Sequence, residues 1–120
     1  MQYNKNLQCI EKILKWTMKI SEVLDRFDIQ KYEDFEQNEI CQLAITQLIT
    51  NIYELTKKVE KDVLDAMPIL TKSRSGLKSA RNISSHDYES IDFRIMYRLV
   101  CDLTSDNFQN ELEGKIDELK

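Results

Sequence analysis

The sequence predicts an all-α fold, an up-and-down bundle of two long antiparallel helices with two or three shorter ones. Hydrophobic residues make up 42% of the 120 residues, while glycine occurs twice and proline once. That is too little turn chemistry for a sheet of many short strands. Apolar positions also recur at steps of three and four along most of the chain, the period of a half-buried helix. Ser and Asp residues able to cap helices stand ahead of the later runs. A chain of this length fits one domain, residues 1–120, around a single core.

The first helix is expected over about residues 4–27, where Ile10, Ile13, Ile20, Leu24 and Phe27 form a stripe that Leu14 and Trp16 widen. Residues 28–34 interrupt the pattern, and Phe35 anchors the connection. A second long helix is expected over about 38–66, burying Leu43, Ala44, Leu48, Ile52, Leu55, Val59 and Val63. Pro68 ends or kinks it, because proline lacks an amide donor and restricts Met67 before it. A shorter helix over about 72–85 turns Gly76, Leu77, Ala80 and Ile83 inward. The small Gly76 and Ala80 permit close approach of another helix, internal or across a dimer. Ser90 or Asp92 then caps a helix bearing Ile95, Leu99 and Leu103, and Thr104 or Ser105 caps a last one bearing Phe108, Leu112 and Ile116.

No apolar run is long enough for a membrane span, and the opening MQYNKNLQCIEK lacks the apolar block of a signal peptide, so a cytoplasmic protein is expected. Cys9, Cys41 and Cys101 are odd in number and widely spaced. This speaks against a disulfide framework, a CxxC redox pair and finger-type zinc spacing; buried reduced thiols are expected, with no metal and no cofactor. The net charge of −4 disfavours a partner as acidic as RNA. Its distribution matters more. Between Ala66 and His86 there is no acidic residue, and Lys72, Arg74, Lys78 and Arg81 give the segment +4 against −8 for the remainder. On a helix Arg74, Lys78 and Arg81 share one face, which is either a basic stripe leading into the next segment or an ordinary solvated face.

That next segment, Arg81-Asn82-Ile83-Ser84-Ser85-His86-Asp87-Tyr88, holds the only histidine of the chain. Histidine titrates near neutral pH and moves protons, while arginine stays charged and offers a planar fork of donors suited to a phosphate. The pair points to work on a phosphodiester. Residues five apart on a straight helix are separated by ~140°, so either the helix ends near Ser85 or Arg81 and His86 address a cleft from its rim. Asn82 and His86, four apart, share a face. Ser84 and Ser85 lack the matched third group and oxyanion hole that acyl transfer needs, which excludes that chemistry.

Read as R-x4-H-x-Y with Asn directly after the Arg, the run resembles the signature of HEPN domains, in particular of the HepT-like toxins of toxin–antitoxin pairs. Upstream, FEQNEICQLAITQLITNIYELTKKV resembles the family's second long helix, and downstream SIDFRIMYRLV resembles the helix after its motif. One departure is the missing Trp before the Arg, where KSRSGLKSA stands; it bears on local packing more than on chemistry. The resemblance implies a homodimer in which two motifs meet around one strand of RNA. It implies metal-independent endoribonuclease activity with Arg81 and His86 catalytic; Asn82, four residues from His86, would support them, and Arg74 and Lys78 of the basic stripe would bind RNA. His86 would move the 2′-hydroxyl or leaving-group proton while Arg81 stabilises the charged transition state.

The resemblance also implies a partner, a minimal nucleotidyltransferase antitoxin that attaches AMP to the motif tyrosine. Tyr88 matches that position, and phosphate two residues from His86 would block the cleft and repel RNA. Without the motif, Tyr88 reads as a packed aromatic with its hydroxyl on the rim. Glu54 stands at the family's acidic position on the second helix, where it either meets Arg81 as a buried carboxylate or lies on an exposed flank without a role. Two rival readings are a non-catalytic, nucleotide- or substrate-binding HEPN subunit of a nucleotidyltransferase, which the acidic total favours, and a plain helical interaction module. The presence of both Arg81 and His86 favours the nuclease.

Overall fold

A computed structural model of the chain describes the backbone of residues 4–86 and 92–120, and the side chains of those residues except 81–86. Among the described residues there are seven helices and no strand. Helix α1 (Lys5–Arg26) begins at Asn4, whose side-chain oxygen accepts from the Leu7 N–H at 3.0 Å. The Nδ2 of Asn4 donates to the Leu119 carbonyl at 3.2 Å, tying the start of the first helix to the end of the last. Cys9, Ile10, Ile13, Thr17 and Ile20 form the buried stripe. The helix stops in a paired cap: the Ile29 N–H reaches the Leu24 carbonyl at 2.9 Å and the Asp28 N–H the Asp25 carbonyl at 3.1 Å. Asp28 takes the left-handed conformation (φ 56°) that such a cap requires, which is why the periodic pattern breaks there.

The short α2 (Tyr32–Glu36) exists to seat Phe35. Its ring is fully buried, edge-on to Phe93 at 6.2 Å and tilted against Tyr97 at 5.5 Å. Buried Gln42 donates to the carbonyls of Phe35 and Glu36, both at 2.9 Å, and so satisfies groups left open at the end of that turn.

The second long helix departs from expectation. It is broken into α3 (Glu39–Thr56) and a short α4 (Lys61–Asp65). No Gly or Pro marks the break; tertiary partners make it. The Thr56 hydroxyl, buried, donates to the Tyr53 carbonyl at 2.6 Å, Val59 turns into the core, and Asn6 of α1 accepts the Glu60 N–H at 3.0 Å. The buried face is also rotated: Cys41, Ile45, Ile49 and Ile52 are fully buried, whereas Leu43 is 51% exposed. Apolar residues run nearly all round α3, so periodicity does not fix its inward side.

Helix α5 (Pro68–His86) starts four residues before the expected boundary. The preceding helix ends ahead of Pro68 as expected, with Ala66 at its C-cap, and Pro68 also opens α5 at its first position, where a missing N–H costs nothing. Helix α6 (Phe93–Leu103) is capped by Asp92, which accepts from the N–H groups of Arg94 and Ile95, and α7 (Asp106–Leu119) is capped by Ser105, which accepts from Phe108. Ser90 lies outside the described residues. Phe108, Leu112 and Ile116 are buried as expected, as are Leu99 and Leu103, but Ile95 is 58% exposed. In the bundle α3 lies between α1 and α5, α7 covers α1, and α6 packs against α5 and α2. No helix among the described residues is long and apolar enough to cross a membrane.

The cysteines are free. Cys9 and Cys41 are buried, and burial pushes the Cys41 thiol up. Cys101 corrects the expectation of three buried thiols: it lies on the exposed side of α6, partial desolvation raising its pKa and a hydrogen bond with Tyr97 opposing that rise. Among the described residues no three His, Cys, Asp or Glu side chains are grouped to hold a metal ion.

Candidate active site

Helix α5 is anchored at its N-terminal end by a residue from another helix. Glu111 of α7 accepts the Ile69 N–H at 2.9 Å with one carboxylate oxygen and the Leu70 N–H at 3.0 Å with the other. These are two of the donors a helix start leaves open, and a carboxylate there also suits the positive end of the helix dipole. The Thr71 hydroxyl donates to the Leu64 carbonyl at 2.8 Å, fixing the entry from α4. Leu70 and Leu77 are fully buried, with Ser73 and Ala80 nearly so. Gly76 faces α6: a Cβ built on it would stand 3.4 Å from Cδ1 of Leu99. The small residue at position 76 thus gives a close internal contact with α6.

From this anchor α5 continues unbroken to His86. The helix does not stop short of the histidine, so positions 81 and 86 stand about 140° apart around its axis. Positions 82 and 86 share a face, and in register that face runs back through Ser79 and Ser75. The side chains of Arg81, Asn82 and His86, all of Tyr88, and any meeting of Arg81 with Glu54 lie outside the described residues. Glu54 itself is half-buried, and its carboxylate pairs with Lys57 at 3.0 Å.

The two flanks of α5 carry different chemistry. On one, Lys78 is exposed and Arg74 is partly buried. The Nε of Arg74 is buried and, among the described residues, has no hydrogen-bond partner. A buried donor left open is costly, and an anionic oxygen is the acceptor that best suits a guanidinium. On the other flank a cleft of about 260 Å³ opens between α5 and α6, lined by Ser75, Gly76, Ser79 and Ala80 on one side and Asp92, Ile95, Met96 and Leu99 on the other. In the sequence Ser75 and Ser79 are unremarkable serines, and nothing there pairs them with α6.

The family model described as Ribonuclease HepT-like matches residues 7–113. The chain belongs to this family. No curated protein and no solved structure matches it. The match takes in all of α5 and α6, so the basic flank, the motif positions and the cleft all fall within the HepT-like region. The family is described as a ribonuclease, and this chain carries its sole histidine and two of its arginines on the anchored helix.

Proposed function

We propose that this HepT-like chain is the endoribonuclease toxin of a toxin–antitoxin pair, cutting RNA at a site assembled from two copies. The observation that carries the reading is the continuity of α5 through His86. With positions 81 and 86 about 140° apart on one rigid helix, a single copy is poorly arranged to bring both groups to one phosphate, whereas a two-fold pair of helices supplies Arg81 from one and His86 from the other. The 2′-hydroxyl attacks the adjacent phosphorus, and the bond to the 5′ oxygen breaks, leaving a cyclic phosphate. His86 takes the hydroxyl proton or protonates the leaving oxygen, Arg81 stabilises the charge that builds on the phosphoryl oxygens, and Asn82 orients His86. No metal takes part. Arg74 and Lys78 hold the neighbouring backbone, the orphaned Nε of Arg74 being a ready donor to a phosphate oxygen.

The test is complementation between two dead variants. Arg81→Ala and His86→Ala should each leave an RNA oligonucleotide uncut, and mixing them under conditions that allow subunit exchange should restore part of the cleavage, with a cyclic-phosphate end and no cutting of the matching DNA. Restoration is impossible if both groups act within one chain. Wild-type protein that binds RNA but never cuts it would move the chain to the non-catalytic subunit reading.

Regulation follows from Tyr88 in the same motif. A nucleotidyltransferase partner that transfers AMP from ATP to the deprotonating Tyr88 hydroxyl, with pyrophosphate leaving, puts negative charge beside the site and shuts out RNA. Intact-mass measurement after incubation with a neighbouring-gene nucleotidyltransferase and ATP should show AMP-sized increments that vanish in Tyr88→Phe; increments that persist place the modification elsewhere.

A further inference from the structure

We propose that the cleft between α5 and α6 is a nucleobase subsite, holding a base of the RNA that flanks the scissile phosphate; the inference rests on the ribonuclease reading above. Its position is the first reason. Ser75 and Ser79 share a helix face with positions 82 and 86, and Ser79 lies seven residues, about 10 Å along the axis, from position 86. A strand with its reacting phosphate at the histidine end of that face passes over the cleft mouth. The basic flank with Lys78 runs along one side of this path and the cleft along the other, so the strand's phosphates and bases meet different surfaces of one helix.

The lining is the second reason. A base is a flat apolar plate with polar edges, and proteins read single-stranded RNA by splaying bases into pockets and bonding those edges. Here Met96 and Leu99 floor the cleft, Gly76 leaves it deep, and Ile95 stands 58% exposed at its wall. Hydroxyls of Ser75 and Ser79 sit on the exposed side. Asp92 uses Oδ1 to cap α6, accepting from Arg94 at 3.0 Å and Ile95 at 3.3 Å. Its second carboxylate oxygen is an acceptor suited to an exocyclic amino group, as on cytosine or adenine. The site therefore selects amino-bearing bases over uracil.

Two variants of the full chain test this. Ser79→Leu fills the cleft mouth from an exposed helical position where leucine is a good helix former. Asp92→Asn keeps a residue able to cap α6 and removes the carboxylate. The probes are 2′-O-methyl oligocytidylate and oligouridylate of equal length, which bind but lack the attacking hydroxyl. Fluorescence anisotropy should find oligocytidylate bound more tightly than oligouridylate by the wild type, the difference lost in Asp92→Asn, and oligocytidylate affinity reduced about tenfold or more in Ser79→Leu, as expected for removing a base contact. Equal affinities of wild type and both variants for oligocytidylate overturn the proposal. So does a change in solution mass of Ser79→Leu by light scattering, since a second copy would then be what fills the cleft. Cleavage of unmodified RNA, followed in parallel, separates the two readings. Cutting that is indifferent to the flanking base removes the subsite alone, whereas cleft-dependent binding by a wild type that cuts nothing removes the nuclease and leaves the subsite.

Discussion

The two flanks of α5 are built from the same nineteen-residue helix and do opposite things. Toward α6 the helix is stripped to Ser75, Gly76, Ser79 and Ala80, and the outcome is a cleft with apolar walls. On the far side it carries Arg74 and Lys78, and a buried guanidinium nitrogen has no partner among the described residues. The first flank offers shape and the second offers charge, so the proposed RNA strand along the helix would be met by both without either surface having to supply both. Substitutions can alter the two flanks separately.

The largest effect is expected at the motif positions in the last turns of α5. Arg81→Ala or His86→Ala should lower RNA cleavage by about two to four powers of ten, the usual worth of a general acid–base or an oxyanion donor, with circular dichroism unchanged. Next comes the charged flank. The double variant Arg74→Gln with Lys78→Gln should weaken single-stranded RNA binding whatever the sequence, and the slope of log affinity against log salt should shrink by roughly 0.7 for each phosphate no longer neutralised. A sequence-dependent weakening would mean that the flanks are not separable.

Below these lies the anchor that both flanks share. Glu111→Ala leaves the Ile69 and Leu70 donors unpaired and should cost about 1–2 kcal/mol in urea denaturation, the range for removal of a helix cap; a change within error would show that the α7 carboxylate is dispensable. The smallest effect should come from Gly76→Ala. Its new methyl group arrives at the near edge of van der Waals contact with Leu99, and replacing a mid-helix glycine should stabilise the fold by about 0.5–1 kcal/mol. Destabilisation in thermal unfolding would mean that Leu99 cannot give way.

What could be read from the sequence depended on whether a helix has one apolar side or many. Helices α1 and α7 have a single stripe, and Ile10, Ile13, Phe108, Leu112 and Ile116 are buried where the spacing put them. Helix α3 is apolar nearly all round, and for that reason the spacing misplaces Leu43 in the core. Its early end depends on Asn6, 54 residues from Glu60, and the role of Pro68 depends on Glu111, 42 residues from Ile69. Neither partner leaves a local trace. Arg81, Asn82 and His86 stand out in the sequence as a short motif, and the helix that carries the first two was legible from the spacing of Leu77 and Ala80. The cleft was not, since Ser75 and Ser79 acquire meaning only once Ile95 and Leu99 of α6 lie opposite them.

The bond from Asn4 to the Leu119 carbonyl brings the outer ends of the first and last helices side by side. A few flexible residues would join them into a ring, and the non-helical connection at 57–60 between α3 and α4 is a natural place to cut it open again. Such a rearranged polypeptide would leave the ribosome in a different order and still have the same neighbours to find, α5 among them.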